Sequence, residues 1–417
     1  MGPEGFAISP DRLRIALLAG CLGQGGAEKQ FAYMAAALQR AGIDVRVYSL
    51  TRGELYEAAL QSSGITPIWI GRFGNPLIRL ATLTRELWRF RPHIVQSGHF
   101  FTNLYAAIAA RFCGAVSIGA IRNDIAFEQA ENGRWWPWLF RLPSALIANS
   151  TTAAQSAAGL GKLARLVRVL PNAIDLEAFD RQVVRGDSER AETGLRILTV
   201  GRLVRQKRQD RFVRALAEVR KRLPGVRGIL VGDGPIRPEL ESLAGRLGLQ
   251  PIGIQFAGRS DNVAALLHRC EIFVMTSDHE GFPNAVLEAM AAGLPVVTTP
   301  SGDSAEVVQD DQTGYVVGFE DSDGLADRIA RLADSAELRR RLGEAGRKRV
   351  EEHYGFERLT QRLLAIYREI SVERSRNHLL RQVDLCANSF ESRSVSSRAV
   401  RTRSADSRSR PPQIGRI

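Results

Sequence analysis

The feature that most constrains the fold of this chain is a repeated alternation of short apolar runs with helical patterns. Residues 14–19 are one such run and are almost continuously apolar. In residues 28–39, by contrast, Phe31, Met34 and Leu38 recur at helical spacing and fall on one face. Alternation of this kind predicts α/β domains in which helices cover both faces of a parallel sheet.

The alternation runs twice, on either side of residues 181–194, which are polar and show no apolar periodicity. We therefore predict two Rossmann-like domains, in residues 1–180 and 195–354, that face each other across a central cleft. Residues 373–417 are rich in Ser and Arg. Too little apolar surface is available there to offset the entropy of ordering, so a disordered tail is expected.

Net charge is a poor guide to the function of this chain. The 417 residues carry a formal charge of +12, but residues 372–417 hold ten arginines and four acids, which is +6 of that total. One hypothesis is therefore a nucleic-acid or membrane adaptor that binds through its tail, and the other is a solvated extension. Phe390 is the tail's only aromatic residue, so base stacking and nucleic-acid binding are not expected.

Cysteine usage and hydropathy indicate the compartment. The four cysteines show no short-range pairing and no Cys/His cluster of the kind that binds zinc. The sequence has no run of roughly 18 apolar residues, the length that a membrane span needs. Residues 15–22 fit a buried strand better than a signal peptide. We expect a cytoplasmic protein in a reducing compartment.

Charged side chains concentrate where neighbouring strands of the second domain end. Gly201 ends one of them and is followed by Arg202 and Lys207, two cations that suit a diphosphate. A solvated basic loop would have the same composition. Gly232 follows the next strand and is equally compatible with an ordinary strand-to-helix turn.

A third strand end carries the most specific pattern of the sequence, which consists of Glu280, Gly281, Phe282, Pro283, Asn284 and, further on, Glu288. A helix that starts near Pro283 points unpaired N–H groups at the loop, and these groups favour an anion. Two carboxylates beside an anion site suit a ligand with hydroxyl groups, such as a sugar or a ribose. The alternative is a surface Glu280 and a Glu288 favoured by the helix dipole.

These motifs resemble those of glycosyltransferase family 4, whose retaining enzymes have the GT-B fold. The resemblance covers residues 12–370 and implies an N-terminal acceptor domain, a C-terminal nucleotide-sugar domain and a final helix, residues 355–372, that packs back on the first domain. It also implies catalysis without a metal or other cofactor. The motifs that carry it are Gly25–Glu28, Leu170–Asp175, Arg202 with Lys207, Gly232–Pro235, and Glu280 with Glu288.

The resemblance implies a role for each group of site residues. Arg202 and Lys207 would contact the diphosphate, Glu280 would meet the donor sugar and Glu288 the ribose hydroxyls. With His99 included, the predicted catalytic residues are Arg202, Lys207, Glu280 and His99. The predicted donor-binding residues are Gly25, Gly26, Gly201, Gly232, Gly281, Phe282, Pro283, Asn284 and Glu288.

The resemblance also points to a functional role for two motifs of the first domain. The glycine-rich loop with Gly25 and Gly26 follows the first strand and can approach a phosphate or an acceptor closely. Arg122 and Asn123 end a later strand and resemble an acceptor-side motif of relatives, although ordinary strand caps would look the same.

His99 is the histidine of the predicted site. It follows the strand 93–96, in a loop where relatives often place a histidine near the transferred sugar. Gln96 and Gly98 stand in the positions of the more frequent His-x-His pattern. Two roles are therefore open, a part in the reaction or a cap on the loop.

The working hypothesis is the transfer of a glycosyl group, with retention at the anomeric carbon, from a UDP- or GDP-sugar to a saccharide or a lipid-linked acceptor. The expected context is the biosynthesis of cell-surface polysaccharide, lipopolysaccharide or glycolipid. A nucleotide-sugar epimerase or hydrolase with the same fold is the alternative. The sequence identifies neither the base, the sugar nor the acceptor.

Two basic, aromatic segments, residues 77–92 and 133–141, allow two interpretations. They suit peripheral contact with the anionic inner face of the cell membrane, where lipid-linked acceptors lie. Alternatively, their aromatic residues belong to the core beneath a domain edge.

Overall fold

A computed structural model describes residues 13–123, 125–158, 167–184 and 194–373 of the chain. Most of the predicted linker and almost all of the predicted disordered tail lie outside the described residues. The described residues form two α/β domains, each built on a parallel sheet. The predicted fold class is therefore confirmed.

The first domain has a seven-stranded sheet in the order β3-β2-β1-β4-β5-β6-β7, parallel at every pairing. Its strands are apolar runs because helices cover both faces. Its elements are β1 (Arg14–Ala19), α1 (Gly26–Arg40), β2 (Asp44–Ser49), α2 (Leu55–Ser62), β3 (Ile68–Trp69), α3 (Pro76–Phe90), β4 (Ile94–Ser97), α4 (Asn103–Cys113), β5 (Val116–Ile121), α5 (Ile125–Asn132), α6 (Trp136–Arg141), β6 (Ala145–Ala148), α7 (Thr151–Ala158), β7 (Val167–Val169) and α8 (Leu176–Val184).

The second domain has a six-stranded sheet in the order β10-β9-β8-β11-β12-β13, again parallel. In both sheets the strand order reverses beside the first strand, between β1 and β4 and between β8 and β11. Its elements are β8 (Arg196–Val200), α9 (Gln209–Arg222), β9 (Arg227–Val231), α10 (Arg237–Arg246), β10 (Ile254–Gly258), α11 (Val263–His268), β11 (Ile272–Met275), α12 (Asn284–Ala291), β12 (Val296–Thr298), α13 (Ser304–Val307), β13 (Gly314–Val316), α14 (Ser322–Asp334), α15 (Ala336–His353) and α16 (Phe356–Glu373).

The chain exchanges helices between the two domains. Helix α8, which spans the predicted boundary at residue 180, packs on the second domain through Phe179. Helix α16 packs on the first domain, where Leu363 and Tyr367 are fully buried. The Tyr367 hydroxyl donates a 2.6 Å hydrogen bond to Gln96 at the end of β4. Helix α16 therefore reaches the strand that precedes His99.

Polar contacts also join the two domains at the ends of their strands. Helix α7 of the first domain begins at Thr151, and its first N–H groups are unpaired within the helix. Asp303 of the second domain accepts hydrogen bonds from the backbone N–H groups of Thr151 and Thr152, at 2.7 and 3.0 Å. The second domain thus supplies the N-terminal cap of a first-domain helix.

In the described part of the chain, none of the helices combines the length and the hydropathy that crossing a membrane requires.

Candidate active site

The reversal of strand order in the second sheet brings two predicted catalytic residues together. Lys207 lies in the short 3-10 helix after β8, and Glu280 lies in the loop after β11. Their Nζ and Oε1 atoms are 2.5 Å apart, and the Ser277 hydroxyl donates a 2.7 Å hydrogen bond to the same oxygen. The crevice at such a reversal is where α/β sheets bind ligands. The pair therefore lies where a ligand is expected.

Arg202 leaves the same strand end but differs from Lys207 in its environment. Its side chain is exposed, and no ion pair joins its guanidinium to an acid among the residues that the structure describes. Its backbone carbonyl accepts a 2.9 Å hydrogen bond from the Gln209 side chain, so the loop itself is held. The guanidinium is therefore accessible to solvent.

Gly232 has a structural reason to be glycine. Its φ is +137°, and a Cβ atom there would collide with the carbonyl of Gly201. The loops after β8 and β9 therefore pack backbone to backbone, and the Leu203 N–H donates a 3.0 Å hydrogen bond to the Asp233 carbonyl. The predicted glycines Gly201 and Gly232 thus hold the loop that carries the two cations.

Helix α12 carries the rest of the specific pattern. Its N-cap is Pro283, while Phe282 is buried in the core against Tyr354, with ring centroids 5.8 Å apart. Gly281 lies against Arg122 and Asn149 of the first domain. The structure therefore packs Phe282 inside the second domain and Gly281 against the first.

The two remaining motif residues contact the first domain. Asn284 accepts hydrogen bonds from Gln30, at 3.2 Å, and from Asn172, at 2.8 Å. A Cβ atom on Gly26 would lie 2.5 Å from the Asn284 amide, so glycine permits this approach. Glu288 forms an ion pair with Lys29 of α1, with Nζ and Oε1 2.5 Å apart. The glycine-rich loop and the donor motif therefore meet across the domains.

His99 lies at the corresponding reversal of the first sheet, in the loop after β4. Its side chain makes no cap hydrogen bond to the 3-10 helix that follows. Instead, its Nδ1 accepts a 3.1 Å hydrogen bond from the Gly20 N–H, in the loop after β1. The neutral ring then carries its proton on Nε2, which lies 3.3 Å from Glu28 Oε1.

Glu28 and Cys21 complete this cluster. Burial would raise the pKa of Glu28, but hydrogen bonds from His99 and Cys21 outweigh it and hold the pKa at about 2. Burial and the hydrogen bond to Glu28 raise the pKa of Cys21 to about 12. The possible ligand atoms of the three residues lie within 4.8 Å of one another. In the structure, Glu28 joins the three side chains through its contacts with Cys21, at 3.0 Å, and His99, at 3.3 Å.

Arg122 and Asn123 lie beside a buried carboxylate. The Arg122 Nε donates a 2.9 Å hydrogen bond to the carbonyl of Gly98, and burial lowers its pKa to about 10. The backbone N–H groups of Arg122 and Asn123 donate to Glu128. Burial nonetheless raises the pKa of Glu128 to about 7.

Sequence reasoning did not single out Glu28 or Lys29 as site residues, nor did it identify Cys21 or Glu128. The signal for the first two was their position immediately after the glycine-rich loop. Nothing in the sequence shows that Cys21 lies close to His99, because His99 is in the loop after β4.

Two family models match almost consecutive parts of the chain. The family described as Glycosyltransferase Family 4 matches residues 24–178, and the family described as Glycosyl transferases group 1 matches residues 180–349. Together they cover most of the chain. This chain belongs to these glycosyltransferase families. The predicted family is confirmed.

Curated relatives are also glycosyltransferases or related synthases. The lipopolysaccharide core biosynthesis glycosyltransferase LpsE of Rhizobium meliloti is 31% identical over 230 residues, 54% of this chain and 65% of that protein. A GDP-mannose-dependent phosphatidylinositol monomannoside mannosyltransferase of Mycobacterium tuberculosis is 32% identical over 52% of this chain and 59% of that protein. The N-acetyl-alpha-D-glucosaminyl L-malate synthase of Bacillus anthracis is 34% identical over 38% and 40%. The chain thus spans 40 to 65% of these relatives.

Solved structures of other proteins share the fold of this chain. Anabaena HepE, in complex with UDP and glucose, superposes with a TM-score of 0.72 at 21% identity and covers 87% of this chain and all of that chain. The lipopolysaccharide galactosyltransferase WaaB superposes with a TM-score of 0.65 at 17% identity. The GT-B architecture is therefore confirmed.

Proposed function

We propose that this chain transfers a glycosyl group from a nucleotide diphosphate sugar to an acceptor, with retention at the anomeric carbon. The observation that carries the proposal is the arrangement at the β8–β11 reversal. Lys207 is paired with Glu280, and Arg202 is exposed beside them. Cations there suit a diphosphate, and a carboxylate suits sugar hydroxyls.

Charge on the leaving group governs the mechanism. As the glycosidic bond breaks, negative charge grows on the diphosphate while the sugar becomes oxocarbenium-like. Arg202, Lys207 and the N-terminus of α12 would stabilise the diphosphate, and Lys207 and the helix N-terminus are held in place before the reaction. The reaction then needs no divalent metal. Glu280 would hold the sugar by its hydroxyls.

The nucleotide is either UDP or GDP. The Anabaena HepE structures contain UDP or UDP-glucose, and the mycobacterial relative depends on GDP-mannose. Both families of donor present the same diphosphate to the two cations. The acceptor we propose is a saccharide or a lipid-linked glycan of cell-surface polysaccharide or glycolipid, a class to which the relatives LpsE and WaaB also point.

A thermal-shift screen of UDP, GDP and their hexose conjugates tests the donor directly. We expect one nucleotide series to raise Tm, because a ligand that binds only the folded protein stabilises it. Incubation of the preferred donor without acceptor should leave it intact. Rapid release of free sugar or formation of an epimer would favour the alternative hydrolase or epimerase.

The lipid-linked acceptor also implies contact with a membrane, and one face of the first domain suits it. Helices α3 and α4 expose Leu77, Trp88 and Phe112, with 75%, 67% and 66% of each residue accessible. Together with neighbouring side chains they line a groove of about 710 Å³. Of the aromatic residues in the two basic segments, Trp88 is therefore not a core residue, whereas Phe90 and Phe140 are buried in the core.

Charge complementarity makes an anionic lipid surface the partner of this face. Arg85 and Arg89 line the groove, and Arg79 and Arg111 lie on the same two helices. Helix α3 has one acid, Glu86, which is paired with Arg89. Basic helices with exposed aromatic residues bind at the interface of anionic bilayers.

Co-sedimentation with vesicles tests this contact independently of catalysis. The protein should sediment with phosphatidylglycerol vesicles and less with phosphatidylcholine alone, and added salt should release it. Trp88→Ala combined with Phe112→Ala should weaken binding. Ile252→Ala removes an equally exposed apolar residue from the second domain and should not. Equal binding to both vesicle types would contradict the proposal.

A further inference from the structure

Lys29 occupies a position that helix stability does not explain. It lies in the first turn of α1, which begins at Gly26. The N-terminus of a helix carries partial positive charge, so a lysine there is disfavoured by the helix dipole. Within α1 it has a cation–π contact with Tyr33, 5.6 Å from the ring centroid, and its ionic partner comes from outside the helix.

The partner is Glu288 on α12, in the other domain. Lys29 Nζ and Glu288 Oε1 are 2.5 Å apart, and only 25% and 13% of the two side chains are accessible. Burial of Lys29 favours its neutral form, but the Glu288 carboxylate outweighs it and raises the pKa of Lys29 above its ordinary value. Lys29 is therefore charged near neutral pH.

The contact uses one oxygen of the Glu288 carboxylate. Lys29 binds Oε1, and among the described residues no hydrogen bond is recorded to Oε2. A carboxylate has lone pairs on both oxygens, so Oε2 is still able to accept from a hydroxyl. Lys29 thus fixes the side chain without using up its binding capacity.

The neighbouring residues hold the two helices together at the same place. Gln30, next to Lys29, donates to Asn284 in the first turn of α12 and also to the carbonyl of Ala173. Asn172 donates to the same Asn284 oxygen. Helix α1 is therefore positioned against the donor motif by several bonds, of which the Lys29 contact alone is ionic.

We propose that Lys29 is a positioning residue of the nucleotide site, contributed by the opposite domain. It orients the Glu288 carboxylate toward the ribose hydroxyls. It also clamps α1 onto α12, so that the contact between the two helices and the donor site form together. This inference rests on the proposed function for the identity of the ligand. The clamp itself depends only on the contacts between the two helices.

Nucleotide affinity tests the positioning role. With UDP or GDP as the titrant, Lys29→Met should raise Kd roughly tenfold, while Lys29→Arg, which keeps the charge, should stay near the unsubstituted value. In a Glu288→Gln background, Lys29→Met should have little further effect, because residues that act through one another are not additive. Additive effects would overturn the positioning role.

Arg40→Met is the matched control. Arg40 also lies on α1, and it forms a 2.6 Å ion pair with Asp175, away from α12. This variant should lose some stability and keep its nucleotide affinity. If Arg40→Met and Lys29→Met weaken nucleotide binding equally, Lys29 has no specific role in the site.

Hydrogen exchange without nucleotide tests the clamp. The backbone amides of α12 should exchange faster in Lys29→Met than in Arg40→Met, since only the first variant frees that helix. Equal exchange would overturn the clamp. If the unsubstituted protein binds neither UDP nor GDP, the proposed function fails and the donor role of Lys29 fails with it, whereas the exchange result still decides the clamp.

Discussion

The two sheets reverse their strand order in the same way, yet the loops at the two reversals differ in charge. Between β8 and β11 the structure places a cation and a carboxylate in contact, Lys207 and Glu280, with the exposed Arg202 beside them. Between β1 and β4 it places a half-buried carboxylate, Glu28, which is hydrogen-bonded to Cys21 and His99.

Under the proposed function, one topology serves two ends of a ligand. In that function, Lys207 and Arg202 of the second domain meet the growing negative charge of a diphosphate. The first-domain cluster directs an N–H from His99 onto Glu28, and the Arg122 guanidinium lies near enough to interact with the Glu28 charge. Such a cluster suits an uncharged group with hydroxyls, as a transferred sugar or an acceptor would be.

The largest expected effect comes from removing Arg202, the exposed cation of the second domain. Arg202→Ala should lower the transfer rate on the order of 100-fold or more, because it removes a cation that would stabilise the leaving diphosphate. Its Tm should change little, since the side chain is exposed and the described residues include no acid paired with it. Initial rates at saturating donor measure the effect.

Arg205→Ala is the matched control for that experiment. Arg205 is a cation of the same loop, and its ion pair with Glu239 is on the surface, with 82% and 61% of the side chains accessible. Surface pairs contribute little, so both rate and Tm should be nearly unchanged. Equal loss of rate in the two variants would mean that net loop charge matters and the Arg202 position does not.

The sequence predicted the second-domain loops better because their residues follow strand ends that are adjacent in the sheet. The strands β9, β8 and β11 are neighbours, as the motif analysis assumed. Apolar periodicity gave the strands, and the parallel rule then placed Gly201, Gly232 and Glu280 at one edge. The resemblance supplied the family, which the comparisons confirm.

The contacts that sequence reasoning missed depend on the strand order of the first sheet and on the approach of the domains. The chain does not show that β1 lies beside β4, so the proximity of Cys21 and His99, 78 residues apart, had no local signal. The pairing of Lys29 with Glu288 joins residues 259 positions apart in different domains. Tertiary partners of this kind set charge and protonation without leaving a periodic pattern.

A smaller effect tests the carboxylate of the first domain. Apart from burial, Glu28 is the largest cause of the raised pKa of Cys21. Glu28→Gln removes the charge of that carboxylate, so the thiolate fraction of Cys21 at a fixed pH should rise. Alkylation of the Cys21 peptide by iodoacetamide, followed by mass spectrometry, should become several times faster. Cys113 is the internal control, because burial alone raises its pKa. Unchanged Cys21 reactivity would show that Glu28 does not control the cluster.

The smallest effect concerns stability and pH in the acceptor-side loop. Burial raises the pKa of Glu128 to about 7, from an ordinary value near 4.5. A carboxyl whose folded pKa is raised stabilises the protein fully below pH 4.5 and loses that contribution as pH rises through 7. Glu128→Gln cannot ionise, so its Tm relative to the unsubstituted protein should improve by a few degrees between pH 5 and pH 8.

That difference isolates Glu128, because every other titrating group is present in both proteins and cancels. Glu344→Gln, an exposed carboxylate on α15, should show the same Tm difference at both pH values. If the Tm difference for Glu128→Gln is also the same at both pH values, the Glu128 carboxyl is ionised throughout that pH range. In that case the Arg122 guanidinium would neutralise the Glu128 carboxylate despite its burial. The first domain would then pair a cation with a carboxylate near its strand ends, as the second domain does.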